Sequence, residues 1–241
     1  MGQRLAGKNA LVTGGSRGIG FAVAEEYARQ GAGVALLSRT AEDLRSAAEK
    51  LQREVPGAPV TAAPADVTDL DEVTAAVERT TEELSHIDIL VNSAGVASLG
   101  DIDRMPPEEW RAMVEVNLFG CYHASRAVWP QMKERGDGAV IMISSGSGRR
   151  AHGGWSAYCA SKFGVMGLAD ALAKEGRPHG IRCNVICPGP TDTRQRRSNF
   201  PDEDRSKLLR PEQVARAAVF FASDEARWVS GPGIDVRKNP I

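Results

Sequence analysis

Thr13-Gly14-Gly15-Ser16-Arg17-Gly18-Ile19-Gly20 is the stretch on which the fold turns. It follows the apolar run Asn9–Thr13 directly and leads straight into a stretch of helical period at residues 19–30. Glycines at a strand-to-helix junction allow a tight turn and a close approach of backbone to a bound group. The helix start that follows presents unpaired amides and the positive end of a dipole to an anion, a pyrophosphate above all. Gly14, Ser16, Arg17, Gly18, Ile19 and Gly20 therefore form a candidate phosphate cradle.

Outward from that loop, short runs rich in Val, Ile, Leu and Ala alternate with helical stretches. Residues 9–13, 33–37, 60–65, 87–91, 138–143, 181–186 and 233–236 read as buried strands. Residues 41–53, 70–84, 155–175 and 211–222 carry helical period; in the second of these, Asp71, Glu72, Glu82 and Glu83 fall on the solvent side. This alternation predicts a single α/β domain over residues 1–241: a Rossmann-like, doubly wound parallel sheet of about seven strands with helices on both faces. The polar stretch 191–210 is long for a connection inside one domain and is expected to act as a mobile substrate lid.

Bulk properties narrow the function classes. A formal net charge of -1 gives no global attraction for nucleic acid or an anionic membrane. No apolar run approaches the roughly 18 residues of a membrane span, and no secretory leader precedes the first strand, which predicts a cytoplasmic protein. Cys121, Cys159, Cys183 and Cys187 include no CxxC pair, and His86, His123, His152 and His179 are scattered, so no metal site is expected. The cysteines read as small buried apolar residues.

The second strand bears on cofactor choice. An acid about 20 residues beyond the glycines commonly binds a ribose 2′-hydroxyl in sites for NAD. Here the strand ends Leu37-Ser38-Arg39-Thr40, with no carboxylate at the tip. Ser38 and Arg39, with Arg17 from the loop, suit a 2′-phosphate instead, which favours NADP(H). Tyr158 and Lys162 stand four apart on one helix face. An ammonium beside a phenol favours the phenolate, so such a Tyr can donate a proton to a carbonyl oxygen and accept one from an alcohol.

Taken together, Thr13 to Gly20, Asn92-Ser93-Ala94-Gly95, Asn117, Ser145, Tyr158-Cys159-Ala160-Ser161-Lys162 and Pro188-Gly189 make the chain resemble the short-chain dehydrogenase/reductase family over nearly its full length. Among its branches, the set is most similar to the 3-oxoacyl-[acyl-carrier-protein] reductases and related ketone reductases. The resemblance implies reduction of a ketone, a 3-oxoacyl thioester among the candidates, to a secondary alcohol by hydride transfer. It implies that Tyr158 moves the proton, Ser145 binds the substrate oxygen and Lys162 holds the nicotinamide ribose. Asn117 would organise a water chain from Lys162. Ser145 lies thirteen residues before Tyr158, the family spacing, which selects it over Ser144. Cofactor contacts are implied for Asp66, Val67, Asn92, Ala94, Gly95, Pro188, Gly189, Thr191 and Thr193.

Two departures stand out. The second motif has Ser93 where many relatives have a second Asn, and the chain ends Arg237-Lys238-Asn239-Pro240-Ile241 where relatives often have Asp-Gly-Gly. The altered end weakens the case for a tetramer; the helix pair around residues 117–133 and 155–175 leaves a homodimer or homotetramer expected. Residues 146–155, 97–101 and the lid should line the substrate pocket, with Ser147, His152 and Trp155 as contacts and Arg149 and Arg150 adding polarity. Arg194, Arg196, Arg197, Arg205 and Lys207 make the lid basic, either to greet an anionic substrate or as a solvated face balanced by Asp202, Glu203 and Asp204. An NAD-dependent alcohol, hydroxysteroid or sugar dehydrogenase and a non-catalytic NADP-binding regulator remain alternatives.

Overall fold

Apolar segments of four to eight residues pair side by side as β1 (Asn9–Thr13), β2 (Gly33–Ser38), β3 (Val60–Pro64), β4 (Ile89–Asn92), β5 (Gly138–Ile143), β6 (Ile181–Pro188) and β7 (Gly233–Val236). They form one sheet in the order β3-β2-β1-β4-β5-β6-β7, every pairing parallel. This computed structural model describes residues 3–231 and 233–238. The inner strands β4 and β5 are buried throughout, as a sheet covered on both faces requires. The edge strands β3 and β7 are only partly covered.

The crossovers are α1 (Gly18–Arg29), α2 (Ala41–Glu54), α3 (Leu70–Leu84), α4 (Pro107–Val114), α5 (Gly120–Arg135), α6 (Ser156–Gly176) and α8 (Pro211–Ala222). A short α7 (Arg194–Asn199) precedes α8. One core joins α1, α2 and α8 to the sheet through Phe21, Leu44, Val214 and Phe221; the other joins α3, α5 and α6 through Val73, Val128, Met132 and Val165. Tyr27 of α1 is fully buried and donates its hydroxyl to the Ala218 carbonyl of α8 at 2.9 Å. Burial pushes this phenol far above its ordinary value, against the pull of the Arg182 charge.

The fourth strand starts two residues later than its apolar run, because the Ile87 amide donates to the Gln131 side chain at 2.9 Å instead of entering a ladder. A π-helical turn, Glu115–Phe119, joins α4 to α5, so the helix expected from residue 117 begins at Gly120. The stretch 191–210 is ordered at its base: Leu209 donates to the Pro190 carbonyl and Asp192 to the Leu209 carbonyl, both at 2.8 Å. Thr193 caps α7, its hydroxyl accepting from the Arg196 amide at 3.2 Å. Among the described residues, no helix is long and apolar enough to cross a membrane, and no three His, Cys, Asp or Glu side chains gather as a metal site. Asn239, Pro240 and Ile241, part of the unusual end, lie outside the described residues.

Candidate active site

Strand order reverses between β1 and β4, and a cleft of about 230 Å³ opens beyond their C-terminal ends. The loop after β1 forms its floor. Gly14 has φ +66°, and a Cβ there would stand 2.8 Å from the Ala94 Cα. A Cβ on Gly20 would stand 2.3 Å from the Gly14 carbonyl oxygen, so only glycine lets α1 start this close to the turn. Arg17, at the N-cap of α1, makes no side-chain cap, and the first turn holds no acid, which leaves the dipole end open to an anion. Thr13 Oγ1 accepts from the amides of Ser93 and Ala94 at 3.1 and 3.2 Å and holds the loop after β4 against the cleft.

At the far end, Ser38 Oγ is buried without a hydrogen-bond partner. Arg39 lies 3.6 Å from Asp66, and Arg17 4.0 Å from Asp43. Partial burial raises the Asp66 carboxyl, but the Thr68 amide and hydroxyl and the Arg39 guanidinium outweigh it and hold the group below its ordinary value. Ser16, Gly18, Ile19, Val67, Ala94, Gly95 and Thr193 line the same cleft. An open helix start, a glycine floor and an unpartnered serine beside two arginines fit a dinucleotide carrying an extra phosphate.

At its inner end the cleft meets a second cavity of about 460 Å³, and Tyr158 lines both. Of the three tyrosines, Tyr27 is sealed in the core and Tyr122 is exposed on α5, so Tyr158 alone reaches the cavities. Lys162 is buried one turn further along α6, its Nζ 5.8 Å from the Tyr158 ring centre and donating to the Ile143 carbonyl at 2.9 Å. Ser144 and Ser145 part company here. Both line the second cavity, but Ser144 Oγ donates to the Lys162 carbonyl at 3.0 Å and ties β5 to α6, whereas Ser145 Oγ accepts from the Ser147 amide at 3.1 Å and keeps its own hydrogen. Trp155 lies edge-on to Tyr158, with ring centres 5.6 Å apart, and His152 edge-on to Trp155 at 6.5 Å.

Several residues singled out from the sequence do not line the first cleft. Asn92 lies behind the cleft wall: it is buried and its amide donates to Ser125 at 3.2 Å. Asn117 is fully buried with its amide hydrogens given to the Val96 carbonyl at 2.9 Å and Ser161 Oγ at 3.0 Å. Its Oδ1 accepts from the Val96 amide at 2.8 Å, so its side chain positions the loop after β4 against α6. Pro188, Gly189 and Thr191 line the second cavity, not the first. Arg149 and Arg150 line neither; Arg149 is drawn away by Asp235 at 2.7 Å and by the Gly233 carbonyl.

Phe200 and Asn199 are contributions that the motifs do not announce. Phe200 stacks on Trp155 with planes 14° apart and centres 5.7 Å apart, and Asn199 donates to the Ala97 carbonyl at 3.1 Å. The available signal was that Phe200 is the one aromatic residue in the polar stretch 191–210. Arg194 lines the first cleft, while Arg196 and Arg197 are paired with Glu203 and Asp192, which favours the balanced-lid reading over an anion-greeting one.

A parallel sheet with a glycine loop at its switch point, and a serine, tyrosine and buried lysine beside it, defines a dinucleotide-binding α/β oxidoreductase. Residues 8–204 match the short chain dehydrogenase family model, and the chain belongs to that family. It is 40% identical over 247 residues to the oxidoreductase UcpA of Salmonella typhimurium, covering 95% of this chain and 92% of the relative. It is 37% identical over 241 residues to the 3-oxoacyl-[acyl-carrier-protein] reductase FabG of Chlamydia trachomatis, covering 96% of each. The crystal structure of a gluconate 5-dehydrogenase from Burkholderia cenocepacia in complex with NADP and tartrate superposes with a TM-score of 0.91 at 30% identity, covering 98% of this chain and 95% of that one.

Proposed function

We propose that this chain is an NADP(H)-dependent oxidoreductase that reduces a ketone to a secondary alcohol, with Tyr158 as the proton donor. The observation that carries the proposal is that Tyr158 lines both the dinucleotide cleft and the adjoining cavity. When bound, the nicotinamide supplies the hydride. Ser145 Oγ accepts from the Ser147 amide, which leaves its own hydrogen free for the substrate oxygen as negative charge develops there. Tyr158 gives that oxygen its proton. Lys162 spends one ammonium hydrogen on the Ile143 carbonyl and keeps two for the ribose hydroxyls of the cofactor.

Ser38, Arg39 and Arg17, with no acid at the tip of β2, support NADP(H) over NAD(H). Asp66 and Val67 would take the adenine side, Gly95 and Thr193 the nicotinamide side of the cleft, and Pro188, Gly189 and Thr191 the wall shared with substrate. The partners are a small-molecule carbonyl compound and a second copy of the chain; Phe119, Tyr122 and Phe163, all exposed around α5 and α6, support a homodimer through that helix pair. Four buried, unpaired cysteines support a reducing compartment such as the cytoplasm. Tyr158→Phe should abolish ketone turnover and leave NADPH affinity nearly unchanged. Retained turnover in that variant overturns the assignment.

A further inference from the structure

The cavity beside Ser145 and Tyr158 is almost free of usable charge. Among the described residues, its ionisable lining side chains are His152, Tyr158 and Arg196. An arginine recognises a carboxylate or phosphate through its forked edge. The Nε–Nη2 edge of Arg196 is taken: these two nitrogens each donate to a different oxygen of Glu203 at 2.6 Å. Its flat face is taken as well, lying 3.8 Å over the Phe200 ring. Arg197, next along α7, gives its own fork to Asp192 at 2.6 and 2.9 Å. An anion entering here finds its cation neutralised and meets the Glu203 carboxylate behind it.

What the cavity offers instead is a flat apolar wall. Phe200 and Trp155 are stacked, and Trp155 meets the Tyr158 ring edge-on. Flat rings set one residue away from the proton donor favour a carbon skeleton that is itself flat or cyclic. Resting on the reading of Tyr158 as proton donor, we propose that the substrates are neutral ketones borne on an alicyclic or aryl ring and held against Trp155, which Phe200 backs from its place under Arg196. Ketones carrying a carboxylate or phosphate on that skeleton are disfavoured, as are open-chain acyl groups, which present no ring to Trp155. Glu203 sets this preference through Arg196 and is a positioning residue.

The test uses the full chain saturated with whichever oxidised cofactor, NADP⁺ or NAD⁺, binds the more tightly, so that no ketone is turned over. Calorimetry then compares 2-tetralone, a ring-carboxylated 2-tetralone and acetoacetyl-coenzyme A. The neutral ring ketone should bind at least about tenfold more tightly than either anion, a gap of about 1.4 kcal/mol. Glu203→Gln should narrow the gap to the carboxylate about tenfold by releasing the Arg196 fork, whereas Glu203→Asp should keep most of it. Equal or tighter binding of either anion overturns the proposal, as does failure of 2-tetralone to bind or an unchanged gap in Glu203→Gln. The ranking of affinities stands whether or not the chain turns over a ketone; Tyr158→Phe reports on catalysis separately.

Discussion

Arg39→Ala is the sharpest probe of the phosphate end of the cleft. A hydrogen bond between a guanidinium and a phosphate contributes about 1.5–3 kcal/mol. Against it stands the contact Arg39 makes with Asp66 at 3.6 Å, from a side chain 65% exposed, which must be loosened when the phosphate arrives. An exposed pair of that kind is worth about 0–1 kcal/mol. The net loss of NADPH affinity in Arg39→Ala is therefore about 0.5–3 kcal/mol, or about 2- to 150-fold in Kd. Removing Arg39 also leaves Asp66 less compensated and closer in effect to a repelling charge, which moves the expectation toward the upper end. NADH lacks the phosphate and should change by no more than about twofold. Titration of cofactor fluorescence at two salt concentrations checks this, since the wild-type advantage for NADPH should shrink as salt screens the exposed arginines. Equal weakening of NADPH and NADH, or a preference for NADH in the unmodified protein, refutes the reasoning.

Three further outcomes follow from the packing. Tyr27→Phe removes the buried bond to Ala218, a loss of about 1–1.5 kcal/mol. Calorimetry should then show a Tm lower by about 2–5 °C, with steady-state kinetics unchanged. Thiol reagents should not label the native chain at neutral pH, because all four cysteines are buried and burial pushes Cys121 up to about 11, against the pull of the Lys162 charge; labelling should appear on unfolding, and stoichiometric labelling of the native protein would contradict the structure. The hydrogen bonds from Arg196 hold the Glu203 carboxyl below its ordinary value, outweighing the rise from partial burial. A carboxyl whose folded value is depressed stabilises above its unfolded value, about 4.3, and that contribution is lost as pH falls through the folded value. The Trp155 emission, isolated by difference with Trp155→Phe, should hold steady from pH 7 to 5 and change only as Glu203 is protonated in the acid range; a transition between pH 7 and 5 would contradict the Arg196–Glu203 pairing.

Much of the architecture was legible along the chain because burial is periodic. Val, Ile, Leu and Ala runs placed β1, β5 and β7 at their observed ends, and the helical period placed α3 and α8 likewise. Ends slipped where a side chain from far away intervened, as Gln131 does at Ile87. The glycine loop and the Tyr158–Lys162 spacing were legible for a related reason: each is a local geometry that only certain residue types permit.

Glycines at 14 and 20, the missing acid after β2 and a Tyr four residues before a Lys were determined by the sequence itself, since turn conformation and helix-face spacing depend only on near neighbours. Tertiary structure decided which of two adjacent serines keeps its hydroxyl hydrogen for the cavity, for Ser144 gives its own to a carbonyl eighteen residues on. It also turned Asn92 toward Ser125, Asn117 toward Val96 and Arg149 toward Asp235, and it brought Phe200 onto Trp155 to make the wall beside Tyr158. These are contacts between segments distant in the chain, set by how the sheet and its crossovers bring them together, and no local pattern encodes them.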